Sequence, residues 1–213
     1  MTSEPGLRER KKQQTRRLIA ESAARLFSDR GFDTVTVAEV ARLADVSEVT
    51  VFNYFPAKED LFYGGMEFFE EKLLQAVGER PPGESVLTAF RQMLLDSSSR
   101  LARRDAVELI AATARIISAS PALQAREREI VARYTMQLAA MIAEETNSGP
   151  DDVEPSVVAN ALMGAHRALV AFVRTRVLSG RRGSRLAEEF RLQAVSAFAR
   201  LEAGLAAYAA KPG

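Results

Sequence analysis

The chain carries few of the side chains from which catalytic or metal sites are built. It contains no cysteine and a single histidine, His166, among 213 residues. The absence of cysteine excludes disulfides, thiol nucleophiles and zinc–thiolate sites. One histidine without a neighbouring carboxylate cluster makes a poor metal site and a poor catalytic triad, and the sequence has no phosphate-binding loop. We therefore predict a chain without catalytic residues, metal or cofactor, and sustained turnover of a small molecule by the purified protein would contradict this.

Basic side chains are concentrated at the start of the chain. The net charge is only +1, yet residues 1–30 hold eight Lys and Arg against four acidic residues. Such a segment either contacts phosphates or forms the solvated beginning of a helix, and composition alone leaves both open. The same segment lacks the apolar core of a signal peptide, and no run approaches the roughly 20 apolar residues that span a bilayer. We expect a cytoplasmic protein that does not enter a membrane, which the lack of cysteine fits.

Apolar residues recur at helical spacing along nearly the whole chain, which predicts an all-α fold of about nine helices. Residues 1–7 are expected to be disordered. In the first helix, over 9–29, the residues Ile19, Ala23, Leu26 and Phe27 share one buried stripe. The remaining helices are predicted over 36–44, 47–54, 57–77, 84–103, 105–118, 121–146, 153–179 and 185–209.

Local signals set the boundaries of two short helices. Thr36 and Glu39 form the pattern of a capping box, and Ser47 is placed to cap the next helix. Pro56 forces Phe55 out of the helical region and ends that helix. Together with the first helix they predict a helix-turn-helix DNA-binding domain over 1–55, followed by a larger helical domain over 56–213.

The third helix of this unit has the two faces that DNA recognition requires. Val51 and Phe55, four residues apart, are placed to pack inward. Side chains on the opposite face point towards a major groove, and flanking hydroxyls are placed to reach phosphates. The outward residues are Glu48, Val49, Phe52 and Asn53, and the flanking ones are Thr50 and Tyr54.

The residues over 36–61 read TVAEVARLADVSEVTVFNYFPAKEDL and closely resemble the DNA-binding signature of the TetR family. The resemblance extends back through RLIAESAARLF over 17–27 and covers about a quarter of the chain. It implies a dimeric repressor of a double-stranded, pseudo-palindromic operator, with a ligand-binding and dimerisation body. By position in the family pattern, the resemblance implies that three side chains reach base edges: Glu48, Val49 and Phe52. The implied phosphate contacts are Thr36, Thr50, Asn53, Tyr54 and Lys58, and Ser47 is added to the DNA-binding candidates.

Two positions depart from the family pattern, and several candidates have a second interpretation. Asp45 stands where glycine is common, and Phe52 stands where many relatives have a tyrosine that can hydrogen-bond. Lys58 is either a phosphate contact or an exposed lysine of a first helical turn. Tyr54 either donates its hydroxyl or packs in the core, and Glu48 either reads a base or only favours the helix dipole.

The body offers weaker candidates for a ligand site. The last two helices carry apolar residues on more than one face, which predicts burial both in the monomer and between two copies of a homodimer. His166 either binds a ligand or is a packed core histidine, and Arg115 either holds an acidic group or lies at a surface or interface. Met163 either lines an adaptable cavity or fills the core, as do the other methionines considered: Met66, Met93, Met136 and Met141.

These patterns favour a ligand-released repressor whose effector is a hydrophobic small molecule, bound by Arg115, Met163 and His166. The alternative is a DNA-binding regulator, repressor or activator, without a small-molecule effector. The sequence does not give the operator, the effector or the regulated genes.

Overall fold

The computed structural model of the protein describes residues 6–64 and 68–204, and these form helices without a strand. The all-α prediction is confirmed, with ten α-helices and one 3₁₀ turn (Ser98–Ala102) in the described ranges. The helices are α1 Leu7–Arg30, α2 Val37–Leu43, α3 Glu48–Tyr54, α4 Lys58–Tyr63, α5 Phe68–Gly78, α6 Val86–Ser97, α7 Arg104–Ala119, α8 Pro121–Thr146, α9 Glu154–Leu178 and α10 Ser184–Ala203.

Contacts divide the chain into two compact units. The first unit contains the described residues up to Phe68 together with Ile116–Arg126, where α7 ends and α8 begins. The second unit contains residues 69–115 and the described residues from 127 onwards. The first unit is therefore not a continuous piece of sequence.

The core of the first unit is built on one stripe of α1. Ile19, Ala23 and Phe27 are buried as predicted, whereas Leu26 is half-buried at the edge of the stripe. Around Phe27 an aromatic cluster assembles: the ring centroids of Phe27 and Phe32 lie 5.0 Å apart, and Phe62 lies 6.2 Å from both. Such pairs add to the free energy gained by burying the rings.

Three polar contacts join Ile116–Arg126 to the rest of the first unit. The hydroxyl of Ser120, a buried residue, donates to Asp33 Oδ1 at 2.8 Å, and the Tyr63 hydroxyl donates to the Leu123 carbonyl at 2.9 Å. The Arg126 guanidinium donates from two nitrogens to Asp60 Oδ1, at 2.9 and 2.6 Å. These contacts fix the α7–α8 junction against the loop after α1 and against α4.

The second unit has its own apolar core, to which α5 through α10 contribute. Phe90 and Phe198 are fully buried with their ring centroids 5.9 Å apart, and α9 contributes residues at helical spacing, including Ala159, Leu162 and Val173. Contrary to the sequence expectation, α9 is long and apolar enough, by length and composition alone, to cross a bilayer. A helix that packs one face in a core and carries a second apolar face has the same length and composition.

Two predicted helices are interrupted. The helix expected over 57–77 ends as α4 at Tyr63, where a side chain on Gly64 would bring its Cβ within 2.5 Å of the Phe55 ring and 2.7 Å of the Asp60 carbonyl oxygen. Residues 65–67 lie outside the described part. The helix expected over 84–103 ends as α6 at Ser97, whose hydroxyl donates to the Leu94 carbonyl at 2.6 Å. Serine hydroxyls that bind nearby carbonyls compete with helical hydrogen bonds, and a 3₁₀ turn follows.

The chain ends differ from prediction by small amounts. α1 begins at Leu7, two residues before its predicted start, after Gly6 as N-cap. The disorder predicted for residues 1–7 is wrong for Gly6 and Leu7, which form the N-cap and the first residue of α1. Residues 1–5 lie outside the described residues, as does the segment 205–209 of the last predicted helix.

Candidate nucleic-acid interface

The start of α2 is held by a reciprocal cap. The Thr36 hydroxyl oxygen accepts from the Glu39 amide at 3.3 Å, and Glu39 Oε2 accepts from the Thr36 amide at 2.8 Å. The predicted capping box is confirmed. The Thr36 amide, then Arg30 and the Thr36 hydroxyl, hold the pKa of Glu39 at about 2, so it stays charged. Because the Thr36 hydroxyl already donates to Glu39 at 2.9 Å, a phosphate contact from that hydroxyl would compete with the cap.

The turn between α2 and α3 is tight and passes through a left-handed residue. Asp45 has a φ of +54°, the region that glycine adopts most readily and that Asp tolerates better than most residues. The turn is closed by the Val46 amide, which donates to the Ala41 carbonyl at 3.0 Å. The helix-turn-helix expected from the sequence therefore forms, with Asp45 at its strained position.

α3 begins at a serine cap and buries one side. Ser47 Oγ accepts from the Thr50 amide at 3.1 Å and lies 2.8 Å from the Thr50 hydroxyl. Val51 and Phe55 are buried against the rest of the first unit, as their four-residue spacing predicts. The rotation of α3 about its axis is thereby fixed.

The opposite side of α3 is solvent-facing and carries apolar groups. Val49 is 71% exposed and Phe52 is 46% exposed, and Glu48 and Asn53 beside them are exposed as well. A seven-residue helix that holds two large apolar side chains in water gains nothing from them in the monomer. Apolar contact with thymine methyl groups is one use for such side chains in a major groove.

The flanking candidates are half-buried. Thr50 and Tyr54 lie at the sides of α3, between its buried and exposed faces. The ammonium nitrogen of Lys58 lies 4.3 Å from the centroid of the Phe32 ring, a cation–π contact at the start of α4. Lys58 is thus held by the core of the first unit and is not a freely solvated lysine.

The three ligand candidates of the second unit do not converge on one site. Met163 is buried in the core of that unit, and His166, one turn later on α9, is half-buried. Arg115 is exposed on α7, which agrees with its interpretation as a surface side chain. No group of three or more His, Asp or Glu side chains within 6–64 and 68–204 is placed to hold a metal ion.

His166 lies beside an ion pair between α8 and α9. Arg174 Nη1 donates to Glu127 Oε2 at 2.8 Å, and Arg174 Nη2 contacts Glu127 Oε1. Burial lowers the pKa of His166 to about 4, Arg174 lowers it further, and Glu127 opposes the shift. The imidazole is therefore neutral at physiological pH.

A cavity of about 620 Å³ lies in the second unit, where α5, α6 and the loop between them meet. Its walls combine charged side chains such as Lys72, Arg80 and Asp96 with apolar ones such as Ala89 and Met93. None of Arg115, Met163 and His166 lines it, so it is not the ligand site predicted from the sequence.

Comparisons with known proteins match both units. The model of the bacterial regulatory proteins of the tetR family matches residues 19–63, and the model of the MftR C-terminal domain matches residues 84–206. TcmR, a transcriptional regulator of Streptomyces glaucescens, is 35% identical over 86 residues, which are 40% of this chain and 38% of TcmR. The transcriptional repressor KstR of Rhodococcus jostii is 28% identical over 138 residues, which are 65% of this chain and 64% of KstR.

The fold of the chain is also similar to the folds of solved structures. NalD, the secondary repressor of the MexAB-OprM multidrug efflux pump in Pseudomonas aeruginosa, superposes with a TM-score of 0.58 at 19% identity and covers 88% of this chain and 96% of its own. The fold and the exposed face of α3 define a helix-turn-helix DNA-binding regulator. Since the second family model covers more than half of the chain, the chain belongs to the TetR family of bacterial transcriptional regulators, which are not enzymes. It spans less than two thirds of the length of TcmR and of KstR, so their operators and partners are not transferred to it.

Proposed function

We propose that the chain is a dimeric repressor that binds a pseudo-palindromic duplex operator through α3 and leaves it when a hydrophobic small molecule binds. The observation that carries the proposal is the solvent-facing side of α3, where Val49 and Phe52 are exposed next to Glu48. In this proposal those three side chains reach base edges in the major groove. The contacts to phosphates come from Thr36, Ser47, Thr50, Asn53, Tyr54 and Lys58.

The test of this assignment is selection of binding sites from a random duplex library, followed by affinity measurements on the selected sequence. Glu48→Ala should relax the preference at one base position, by about 1–3 kcal/mol if the carboxylate accepts from a cytosine amino group. Tyr54→Phe and Lys58→Ala should instead weaken binding to all sequences, with a shallower salt dependence for Lys58→Ala. If Glu48→Ala selects the same site as the wild type, Glu48 does not read a base.

Dimerisation is proposed through α9 and α10. From the N-cap residue of α9 onwards, exposed or half-exposed residues recur every three or four positions and form an apolar stripe away from the core: Val153, Val157, Ala161, Gly164 and Ala168. Small residues in the middle of the stripe permit close approach of a second helix. On α10, Leu192 is 64% exposed in the same way. The proposed dimer binds an operator whose two half-sites lie one helical turn apart, about 34–36 Å.

Sedimentation of matched variants tests the dimer. Val157→Arg and Leu192→Arg should shift the protein to a monomer at micromolar concentration, because each places a charge in the apolar seam. Leu109→Arg is the control, since Leu109 is equally exposed (69%) but lies on α7. A monomeric wild type would remove this part of the proposal.

The effector is proposed to bind in the second unit at Met163 and His166. The neutral imidazole of His166 lies one turn from the buried Met163 and beside the ion pair of Arg174 and Glu127. A polar group at the edge of an apolar core is of the kind that orients a hydrophobic ligand. Thermal-shift screening with hydrophobic compounds tests this, since a ligand present at 100 times its dissociation constant stabilises the native state by about 2.7 kcal/mol. His166→Gln should impair ligand-induced release and leave DNA affinity without ligand unchanged.

Arg115 is the less supported member of the ligand set because it is exposed. If Arg115→Ala leaves release unchanged, Arg115 is a surface residue and the remaining two carry the site. If no compound stabilises the protein while operator binding persists, the function is that of a DNA-binding regulator without a small-molecule effector.

A further inference from the structure

The first turns of α1 extend beyond the core of the first unit. Every residue from Arg8 to Gln14 is exposed, and the first buried residue after Arg8 is Ile19. Between Arg8 and Arg17 the sequence holds six basic residues, one acidic residue and no apolar residue. We call residues 8–17 the basic arm. The match to the tetR family model begins at residue 19, so the basic arm lies outside it.

The C-terminal end of the basic arm lies next to the end of α3. The guanidinium of Arg16 lies 5.1 Å from the centroid of the Phe55 ring, and Phe55 is the C-cap residue of α3. Arg17 is paired with Glu21 at 2.7 Å, which leaves Arg8, Arg10 and the two lysines as the outermost positive charges. The helical residues 7–14 extend about 12 Å at 1.5 Å per residue. This length corresponds to three or four base pairs at about 3.4 Å each.

We infer that the basic arm binds the phosphate backbone of duplex DNA beside the base pairs that α3 contacts, and so extends each half-site outwards. This inference rests on the proposed DNA binding by α3, because it places the arm beside the same duplex. A net charge of +5 on ten residues attracts a polyanion and releases condensed counterions on binding.

A lipid surface fits the basic arm less well. Helices that lie on membranes need an apolar face that inserts between headgroups, and no residue from Arg8 to Arg17 supplies one. An acidic protein partner would also be attracted, but the contact between Arg16 and Phe55 places the arm at the end of the DNA-facing helix. Duplex DNA is therefore the occupant that the position favours.

The test uses the full-length protein and a random-sequence duplex of about three helical turns, so it does not depend on the operator. In the arm variant, Arg8, Arg10, Lys11 and Lys12 are all replaced by Gln, which is also a good helix former. In the control variant, Lys72, Arg100, Arg128 and Arg133, four basic residues of the second unit, are all replaced by Gln. Both variants lower the net charge by the same amount and differ only in where the charge is lost.

Fluorescence anisotropy between about 50 and 200 mM salt gives the slope of log K against log salt. The arm variant should have a slope shallower by about 0.9 for each lost contact, up to about 3.6 for four, and the control variant should match the wild type. Glu9→Gln removes the acidic residue of the arm and should tighten binding, which tests the inference even if the arm variant is poorly folded. Equal slopes for all proteins, or equal losses in both quadruple variants, would overturn it.

A second comparison separates this inference from the proposed function. The site selected from a random library is prepared as two duplexes. The flush duplex ends at the outer edges of the half-sites, and the extended duplex has about five extra base pairs on each side. The arm variant should bind the extended duplex more weakly than the wild type does, while both bind the flush duplex alike. If the protein still selects a site but the extra base pairs do not distinguish the arm variant from the wild type, only the role of the arm is overturned. Failure to select any site overturns the proposed operator binding, and with it the placement of the arm.

Discussion

Acidification should destabilise the second unit through its single histidine. Folding lowers the pKa of His166 from 6.5 to about 4, first through burial and then through the Arg174 charge, against the opposing effect of Glu127. Above pH 6.5 the imidazole is neutral in both states and has no effect. Between pH 6.5 and 4 the unfolded chain binds a proton that the native state does not, so the free energy of unfolding falls as the pH falls.

The magnitude follows from the size of that shift. Each pKa unit corresponds to about 1.4 kcal/mol, so His166 alone should lower the free energy of unfolding by about 3 kcal/mol once the pH reaches 4. Below that pH its contribution is constant, because both states are then protonated. The loss is a sizeable part of the 5–15 kcal/mol by which proteins of ordinary stability are folded.

Urea unfolding of the wild type and of His166→Gln at a series of pH values isolates this contribution. Carboxylates titrate in both proteins, so the difference between the two curves reports the histidine. Because the chain has one histidine, its Cε1 proton gives a single resonance whose titration measures the native pKa directly. A native midpoint near 6.5, or a difference that stays constant with pH, would refute the reasoning.

Three further predictions concern stability and are measured by urea unfolding at neutral pH. Ser47→Ala removes the cap that accepts from the Thr50 amide and should lower the free energy of unfolding by about 1 kcal/mol, whereas an unchanged value would mean that the α3 cap is dispensable. Asp45→Val places a β-branched residue at a φ of +54° and should destabilise by about 1–3 kcal/mol, while Asp45→Gly should not. Phe90→Ala empties a fully buried position against Phe198 and should destabilise by about 3–5 kcal/mol, and a loss below 1 kcal/mol would mean that this core collapses around the cavity.

The helix-turn-helix could be predicted from the sequence because its determinants are local. The Thr36 capping box, the Ser47 cap and the spacing of Val51 and Phe55 each act within four residues, and each is found in the structure. The end of α4 at Tyr63 has no counterpart in the apolar spacing. Nothing local in the sequence shows that the Phe55 ring and the Asp60 carbonyl approach Gly64 closely enough to exclude a side chain there.

The ligand candidates were harder to place for a related reason. On α7 the buried residues Val107, Ala111 and Ala114 mark the inward stripe, and Arg115 falls beside it. The apolar composition around Arg115 favours a buried position, whereas the spacing of the same residues already places Arg115 off the buried face of the helix. The contact between Ser120 and Asp33, 87 residues apart, had no local signal at all.

The contacts between Ile116–Arg126 and the rest of the first unit limit how the gene could be recombined. A cut after residue 68 separates the helix-turn-helix in sequence but leaves behind Ile116–Arg126, which belongs to the same compact unit. A fragment ending there loses the Ser120 hydroxyl at Asp33, the Leu123 carbonyl at Tyr63 and the Arg126 guanidinium at Asp60. A chimera that joins this DNA-reading part to the body of another regulator would therefore keep a complete first unit only if the new body supplied a serine and an arginine at the matching junction.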